Sequence, residues 1–482
     1  MSPRYRVVQA WWMTTLLASC ASYHPEPVSA IDNAHALESR TLDDPRLQKF
    51  IALDLGRDEK TEPPRTWDLP TLTLAAIYYH PELDIAHAKL AGAEAAVVTA
   101  HQRPNPVLGF TNNFGQAAVA GAIPAGASPV TIGPVIDFVL ETSGKRKDRT
   151  AHAQHLADAA RWDLATAGWQ VRARVRSALV NLWAARERLG LTRRRLDLQE
   201  QLTGLLERRF AVGEASSLDV SRERINRTQI TFAIRDLEQA AADARVQLAI
   251  AIGISVQQLE DADVSLEAFD HPSPMTANLA AGKLRRVALT ERTDVQGSLQ
   301  EYEAAQAAVQ LEVANQYPNV TLSPGYNYDL GINRYILNLG TVLPIFHHNQ
   351  GQIAQALANR QQAAANFNAL QAQIIGAIDQ AAAAYRTATL SVTTGDELLA
   401  DEERREREVA GAFGAGQIDR PTLVATELEV AAARLSRFDA VVQERLALAA
   451  LEDALQQPLF DPGQSPTVPE HNPRLARSEP SS

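Results

Sequence analysis

Two helical stretches of roughly sixty residues, Thr150 to Phe210 and Gln350 to Ala410, constrain this chain most, because each is ~90 Å long at ~1.5 Å rise per residue. No ordinary globular domain of this size needs such a rod. Val175, Leu182, Leu189 and Leu196 recur every seventh residue. Ile230, Ile234, Leu237, Ala241, Ala244, Leu248 and Ala251 alternate by four and three. Both patterns give a narrow apolar seam of coiled-coil type. Arg193, Arg194 and Arg195 lie off the first seam, on a solvated face. Aromatic residues make up only 6% of the chain, and runs such as Ala363-Ala364-Ala365 favour closely packed helices over a thick aromatic core.

The rods belong to one unit written twice. Each half reads as helix, two strands, long helix, turn, shorter helix. The first helices run from about Thr71 to Gln102, stopping at Pro104 and Pro106, and from about Gly282 to Gln316, stopping at Pro318. The long helices end in matched turns, Phe210-Ala-Val-Gly213 and Phe413-Gly-Ala-Gly416, and shorter helices follow from about Asp219 to Ile252 and Pro421 to Leu455. Pro104 and Pro318 lie 214 residues apart, Gly144 and Gly351 lie 207 apart, and Gly213 and Gly416 lie 203 apart. This register divides the chain into repeats over 70–265 and 266–460, after a polar, extended linker over 20–69 and before a disordered tail over 461–482. In each half the two shorter helices stack end to end against the long one.

The strands carry the second constraint. Val320, Leu322, Pro324, Tyr326 and Tyr328 alternate with Thr321, Ser323, Gly325, Asn327 and Asp329. Ile132, Ile136, Phe138 and Leu140 share one face of Thr131 to Glu141, and Pro106 to Phe114 and Asn333 to Leu343 are weaker strands of similar length. Membrane-barrel strands need about 9–11 residues alternating apolar-out and polar-in. Four strands cannot close such a barrel, for which about eight is the minimum. Either they form a small soluble sheet, or several chains share one barrel; three chains would supply twelve strands and leave no edge open. Gln116 to Val130 would then be a long external loop, and Gly331 a tight turn.

The amino terminus reads as a signal peptide over 1–19. Arg4 and Arg6 are followed by an apolar run from Val7 to Ala18 that is too short to span a bilayer, and then by Leu17-Ala18-Ser19-Cys20. The sole cysteine, Cys20, resembles the acylated cysteine of a lipobox, which implies a lipid anchor; Ala21 and Ser22 follow it, a pattern that permits transfer to the outer membrane. One cysteine excludes an intramolecular disulfide and a Cys-rich zinc site. A formal charge of −11 argues against nucleic acid as a partner. His347 and His348, as neighbours on a strand, would point to opposite faces and read as solvated rather than metal-binding. The mixed charges from Asp401 to Glu408 read as a solvated helix face. Lys145, Arg146, Lys147 and Arg149 read as interfacial cations near a barrel rim. No phosphate loop and no nucleophile–base arrangement is present, so no catalytic residue or cofactor is expected.

From Leu72 to Leu455 these features resemble the TolC family of outer-membrane efflux proteins. The resemblance implies a mainly α fold with a β-barrel part. Long antiparallel coiled-coil helices would form a periplasmic α-barrel, and four strands per protomer would enter a shared twelve-stranded transmembrane barrel in a homotrimer. The segments Phe210-x-x-Gly213-x-x-Ser216-x-Leu218-Asp219 and Phe413-x-x-Gly416 are similar to the family's helical tips. A periplasmic adaptor would dock there and an inner-membrane pump would supply the energy. The docking candidates are Phe210, Gly213, Ser216, Leu218, Phe413 and Gly416, and the gate candidates are Asp219, Asp419 and Arg420. Thr422 stands where the first half has Asp219, and Ala425 where another aspartate is expected, which weakens an acidic ring. Leu140-Glu141-Thr142-Ser143-Gly144-Lys145-Arg146 and Leu343-Pro344-Ile345-Phe346-His347-His348-Asn349-Gln350-Gly351 resemble segments of the heavy-metal, cobalt–zinc–cadmium branch, with Ser143 in place of a glycine. The expectation is a passive exit duct for heavy-metal cations. The alternatives are drug or solvent efflux, a type I secretion duct, or, in a different class, a periplasmic coiled-coil scaffold lipoprotein with a soluble sheet.

Overall fold

The computed structural model describes residues 23–56, 66–114, 130–260, 262–270, 281–329, 332–459 and 468–474. The expected signal peptide, Cys20, Gly331 and the external loop expected over Gln116 to Val130 lie outside the described residues, except that Val130 begins β2. The described chain runs α1 (Ala30–Glu38), α2 (Pro45–Asp54), α3 (Leu69–Tyr79), α4 (Pro81–His101), β1 (Val107–Phe114), β2 (Val130–Leu140), α5 (Lys145–Ala211), α6 (Ser217–Ile252) and α7 (Val256–Glu260). The second half continues with α8 (Ala281–Glu291), α9 (Thr293–Ala314), β3 (Val320–Asp329), β4 (Ile332–Thr341), α10 (Gln350–Gly414) and α11 (Arg420–Leu455).

The duplication holds at the level of structure. The long helices α5 and α10 have 67 and 65 residues, and α6 and α11 have 36 each. At ~1.5 Å per residue the long pair spans about 100 Å. In each half the two shorter helices lie along the long one, α4 and α6 on α5, and α9 and α11 on α10. The helix α5 is the more central, because α9 and α11 of the second half also pack on it.

Three local expectations are corrected. The first helix of each half is two helices. Pro81 forces His80 into an extended conformation (φ −69°, ψ 125°), which ends α3 and caps α4. In the second half no proline is involved. Arg292 is extended (φ −57°, ψ 141°), and Gln456 at the end of α11 accepts a hydrogen bond from the Thr293 N–H at 2.9 Å. The linker is not extended throughout: α1 and α2 lie within it, and Leu47 and Ile51 of α2 are buried. Residues 468–474, read as tail, lie on the body: Asn472 donates to Asp84 at 2.7 Å, and Val468 fills the space that Gly168 leaves open on α5.

Each half has an apolar core at its waist, where the short helices meet. The first gathers Leu72 and Ile77 of α3, Leu83 of α4, Val175 and Leu179 of α5, and Leu248 and Ile252 of α6. The second gathers Val295, Ile374, Ile378, Leu448 and Leu455. An ionic cluster with a buried centre, Arg176 and Glu452, joins the halves. Arg176 of α5 binds Glu452 of α11, donates to the Ala449 carbonyl at 2.8 Å and to Asp453 at 2.7 Å, and Arg172 lies 3.9 Å from Glu452. Such a pair adds little over apolar packing, but losing one partner strands a charge. Arg176→Met should therefore destabilise the protein by about 3–5 kcal/mol. Read as the midpoint of thermal unfolding, Arg176→Met with Glu452→Met should recover part of that loss, because Arg172 then loses the Glu452 carboxylate. Equal midpoints for the single and double variants would refute the account.

Candidate functional site

The four strands form one antiparallel sheet in the order β1-β2-β3-β4, which pairs the strand hairpins of the two halves. The register places Leu108 opposite Ile136, Phe138 opposite Leu322, Leu322 opposite Leu339, Pro324 opposite Leu337, and Tyr326 opposite Tyr335. Because side chains alternate along a strand, these residues share one continuous face. The other face carries Thr111, Gly133, Asp137, Thr321, Ser323, Asn327 and Asn338. Gly133 is needed there, since a Cβ would lie 1.7 Å from the Tyr326 carbonyl.

The burial is inverted relative to a soluble sheet. Along β2, Ile132, Ile136, Phe138 and Leu140 are exposed, while Gly133 is buried and Val135, Asp137 and Val139 are half-buried. On β4, Tyr335 is 87% exposed and Leu337 69%. No helix among the described residues covers the apolar face, and the edges β1 and β4 have no second partner.

The segments that lead from strands to long helices are held as built junctions. Thr142 donates to the Pro318 carbonyl at 2.8 Å and Lys145 to Asn319 Oδ1 at 2.7 Å, so the start of α5 is tied to the start of β3. Arg149 pairs with Glu141 at 2.7 Å and donates to the Ala100 carbonyl at 3.0 Å. In the second half Asn349 donates to Glu312 Oε2 at 2.7 Å. The left-handed residue before each long helix is Gly144 (φ 77°) in the first half and Asn349 (φ 61°) in the second. Gly351, matched to Gly144 from sequence, instead lies inside α10. His347 and His348 lie after β4, not on a strand, and both are exposed. No cluster of three or more His, Cys, Asp or Glu able to hold a metal occurs among the described residues.

At the far end of the long helices the chain makes two hairpin tips. Gly213 (φ 80°) ends the first turn and Gly416 (φ 73°) the second. The Glu214 N–H donates to the Arg209 carbonyl and the Gln417 N–H to the Ala412 carbonyl, each at 2.9 Å, so the turns are the same structure. Ser216 caps α6 in a capping box: its hydroxyl accepts from the Asp219 N–H at 3.1 Å and donates to the Asp219 carboxylate at 2.7 Å. That makes Asp219 a helix cap, and its bonds from Ser216 hold its carboxyl below the usual aspartate range. In the second tip Asp419 is itself the cap, accepting from the Thr422 N–H at 3.0 Å. Bonds from Thr422, then from Arg209, likewise hold Asp419 below the usual range.

The two tips are joined by Arg209 of α5, which reaches Asp419 at 2.6 Å. Sequence reasoning missed Arg209, which sits unmarked in the charged run Glu207-Arg208-Arg209. Arg420 stacks over the Phe413 ring at 5.8 Å. Phe210, Val212 and Leu218 are exposed, leaving an apolar first tip beside a charged second one.

This fold is shared with solved outer-membrane proteins. The fold matches the outer membrane protein VceC of Vibrio cholerae with a TM-score of 0.64 at 18% identity, covering 80% of this chain and 95% of that one. Residues 72–254 match the family model described as outer membrane efflux protein. Over that stretch, somewhat more than a third of its length, the chain is similar to that family. It is 28% identical to the cobalt-zinc-cadmium resistance protein CzcC of Cupriavidus metallidurans over 46% of this chain and 52% of that one. It is 26% identical to the pyoverdine export outer membrane protein OpmQ of Pseudomonas aeruginosa over 62% of this chain and 66% of that one. The matches thus span less than two thirds of either relative.

Ser143 is strained (φ 57°) where the resembling segment has a glycine. A left-handed L residue costs roughly 1–2 kcal/mol, partly offset by the extra chain entropy of glycine. Ser143→Gly should raise the thermal midpoint, by up to about 1 kcal/mol of stability. A lowered midpoint would contradict the strain.

Proposed function

We propose that three copies of this chain join their sheets into a twelve-stranded barrel in the outer membrane and act as the passive exit duct of a tripartite efflux system. The observation that carries this reading is the uncovered apolar face on a sheet with two open edges. In lipid every backbone N–H and C=O must be paired, so an open four-stranded sheet is not viable there until other copies close it. Lipid contact then explains why Tyr335 and Leu337 are exposed. The soluble-sheet scaffold would require a helix over that face, and α3 and α4 instead pack on α5 at the waist. The long helices would extend into the periplasm. Acylated Cys20 would add a lipid anchor.

Energy would come from partners, an inner-membrane pump and a periplasmic adaptor engaging the tips. The apolar Phe210, Val212 and Leu218 suit such docking, with Gly213, Ser216, Phe413 and Gly416 shaping the turns. The Arg209–Asp419 pair is the better gate candidate, because it links hairpins that must move apart for the aperture to widen. Asp219 and Arg420 are engaged within their own hairpins. For the cargo we infer heavy-metal cations, supported by the two junction segments and the similarity to CzcC. The longer match to OpmQ favours a small organic cargo as the second reading.

An unboiled membrane fraction should show a heat-modifiable oligomer about three times the chain mass; a water-soluble monomer would sink the duct. Deletion should sensitise the host to cobalt, zinc or cadmium, whereas sensitisation only to organic compounds would favour the second reading. Arg209→Glu should raise single-channel conductance in bilayers, and adding Asp419→Arg should lower it again. The carboxyl of Asp419 is depressed, so the link is present at neutral pH and is lost as pH falls through its lowered value; conductance should rise only in strong acid. Unchanged conductance in Arg209→Glu would remove the pair from the gate.

A further inference from the structure

The junction between β2 and α5 holds a cavity of about 760 Å³ whose chemistry the duct does not use. Arg103, Arg146 and Lys147 line it, and none of their side chains has a partner among the described residues. Lys145 lines it too: it is 7% exposed, and its ammonium meets one amide oxygen, that of Asn319 at 2.7 Å. An ammonium has three donors, and a buried one without an anion is costly. Burial lowers the Lys145 pKa, with Glu141 opposing. The carboxylate that lines the cavity, Glu141, is already held by Arg149. No side chain caps α5, so its first turn adds unanswered N–H groups at the same place.

The duplication supplies an internal control. Aligned on the first helical residue, the second half carries Gln350-Gly351-Gln352 where the first carries Lys145-Arg146-Lys147, and Tyr317 precedes Pro318 where Arg103 precedes Pro104. The second half therefore makes its own strand-to-helix junction without any of these cations, and Arg103, Arg146 and Lys147 hold no other side chain in place among the described residues. Val139 and Leu140 form an apolar wall to the cavity, and Leu140 continues into the exposed face of the sheet. A ligand that fits is anionic at one end and apolar at the other.

We propose that this cavity binds the phosphodiester headgroup of an anionic phospholipid, with Arg103, Arg146, Lys147 and Lys145 around the phosphate and the acyl chains along β2. The inference rests on the membrane reading of the sheet. It anchors the first junction of each protomer at the bilayer surface, while the second is left without such a tie.

The test uses the full-length oligomer, wild type and an Arg103→Gln, Arg146→Gln, Lys147→Gln variant, whose side chains hold nothing else in place. Each is titrated with phosphatidylglycerol in detergent and read by native mass spectrometry, with inorganic phosphate as a second arm. At about one factor of five per cation near a surface, the variant should bind phosphatidylglycerol roughly a hundredfold more weakly. Inorganic phosphate should compete poorly. Equal lipid retention in both proteins would overturn the site, and phosphate binding as tight as lipid would replace the headgroup with the free ion. Heat-modifiable migration is followed in parallel. If wild type inserts but holds no phospholipid, only this inference falls; if it does not insert, the duct reading falls and the lipid with it.

Discussion

In the proposed barrel, the obligation to pair every backbone group in a medium without water decides the rest of this structure. Among the described residues its sheet has four strands, an apolar face that no helix covers, and edge strands β1 and β4 that each pair with one neighbour. A single chain in water would meet two costs, hydration of that face and an edge open to aggregation. A closed barrel of several copies in a bilayer removes both. The burial of β2, with isoleucine, phenylalanine and leucine outside and glycine, aspartate and two valines inside, fits that solution.

The helices answer a different problem, how to carry the barrel's axis a long way with a thin wall. One rod of 67 residues cannot hold its own shape in isolation; most helical stability in proteins comes from tertiary packing of a seam. Here α4 and α6 share the rod's length, and the waist where they meet collects the first core. The buried Arg176–Glu452 cluster then fixes how the second half sits on the first. A charge pair specifies this contact where an alanine-rich seam could slide by one turn, because only one register satisfies both charges.

Much of this was legible from residues alone. Heptad spacing, the turns at Gly213 and Gly416, and the alternation of Val320 to Tyr328 located the rods, tips and strands, because each is a local pattern of period or punctuation. The breaks at His80–Pro81 and Arg292 were not located. The first needed more weight on proline, and the second depends on Gln456 reaching from another helix, which no local pattern records. The helices α1 and α2 were hidden for a similar reason: a short polar segment is held by contacts such as that of Arg40 with the Gly253 carbonyl at 3.0 Å. At the tips the roles of the aspartates depend on a three-residue shift in capping. Asp219 sits at the third helical position and Asp419 at the cap itself, and only the latter is left facing Arg209.

That shift shows what duplication allows. Two copies of one hairpin begin with the same turns and the same caps. The fold needs the left-handed glycine and a capping side chain in both, and both keep them. Everything beyond those requirements has diverged: the first tip exposes Phe210, Val212 and Leu218, and the second presents Asp419 and Arg420. At the opposite end the first junction carries four cations around a cavity and the second carries glutamine and glycine. Where a symmetric scaffold tolerates either composition, a difference between its halves cannot be explained by folding. Such differences therefore mark the positions where contact with something outside the chain acts on the residue chosen.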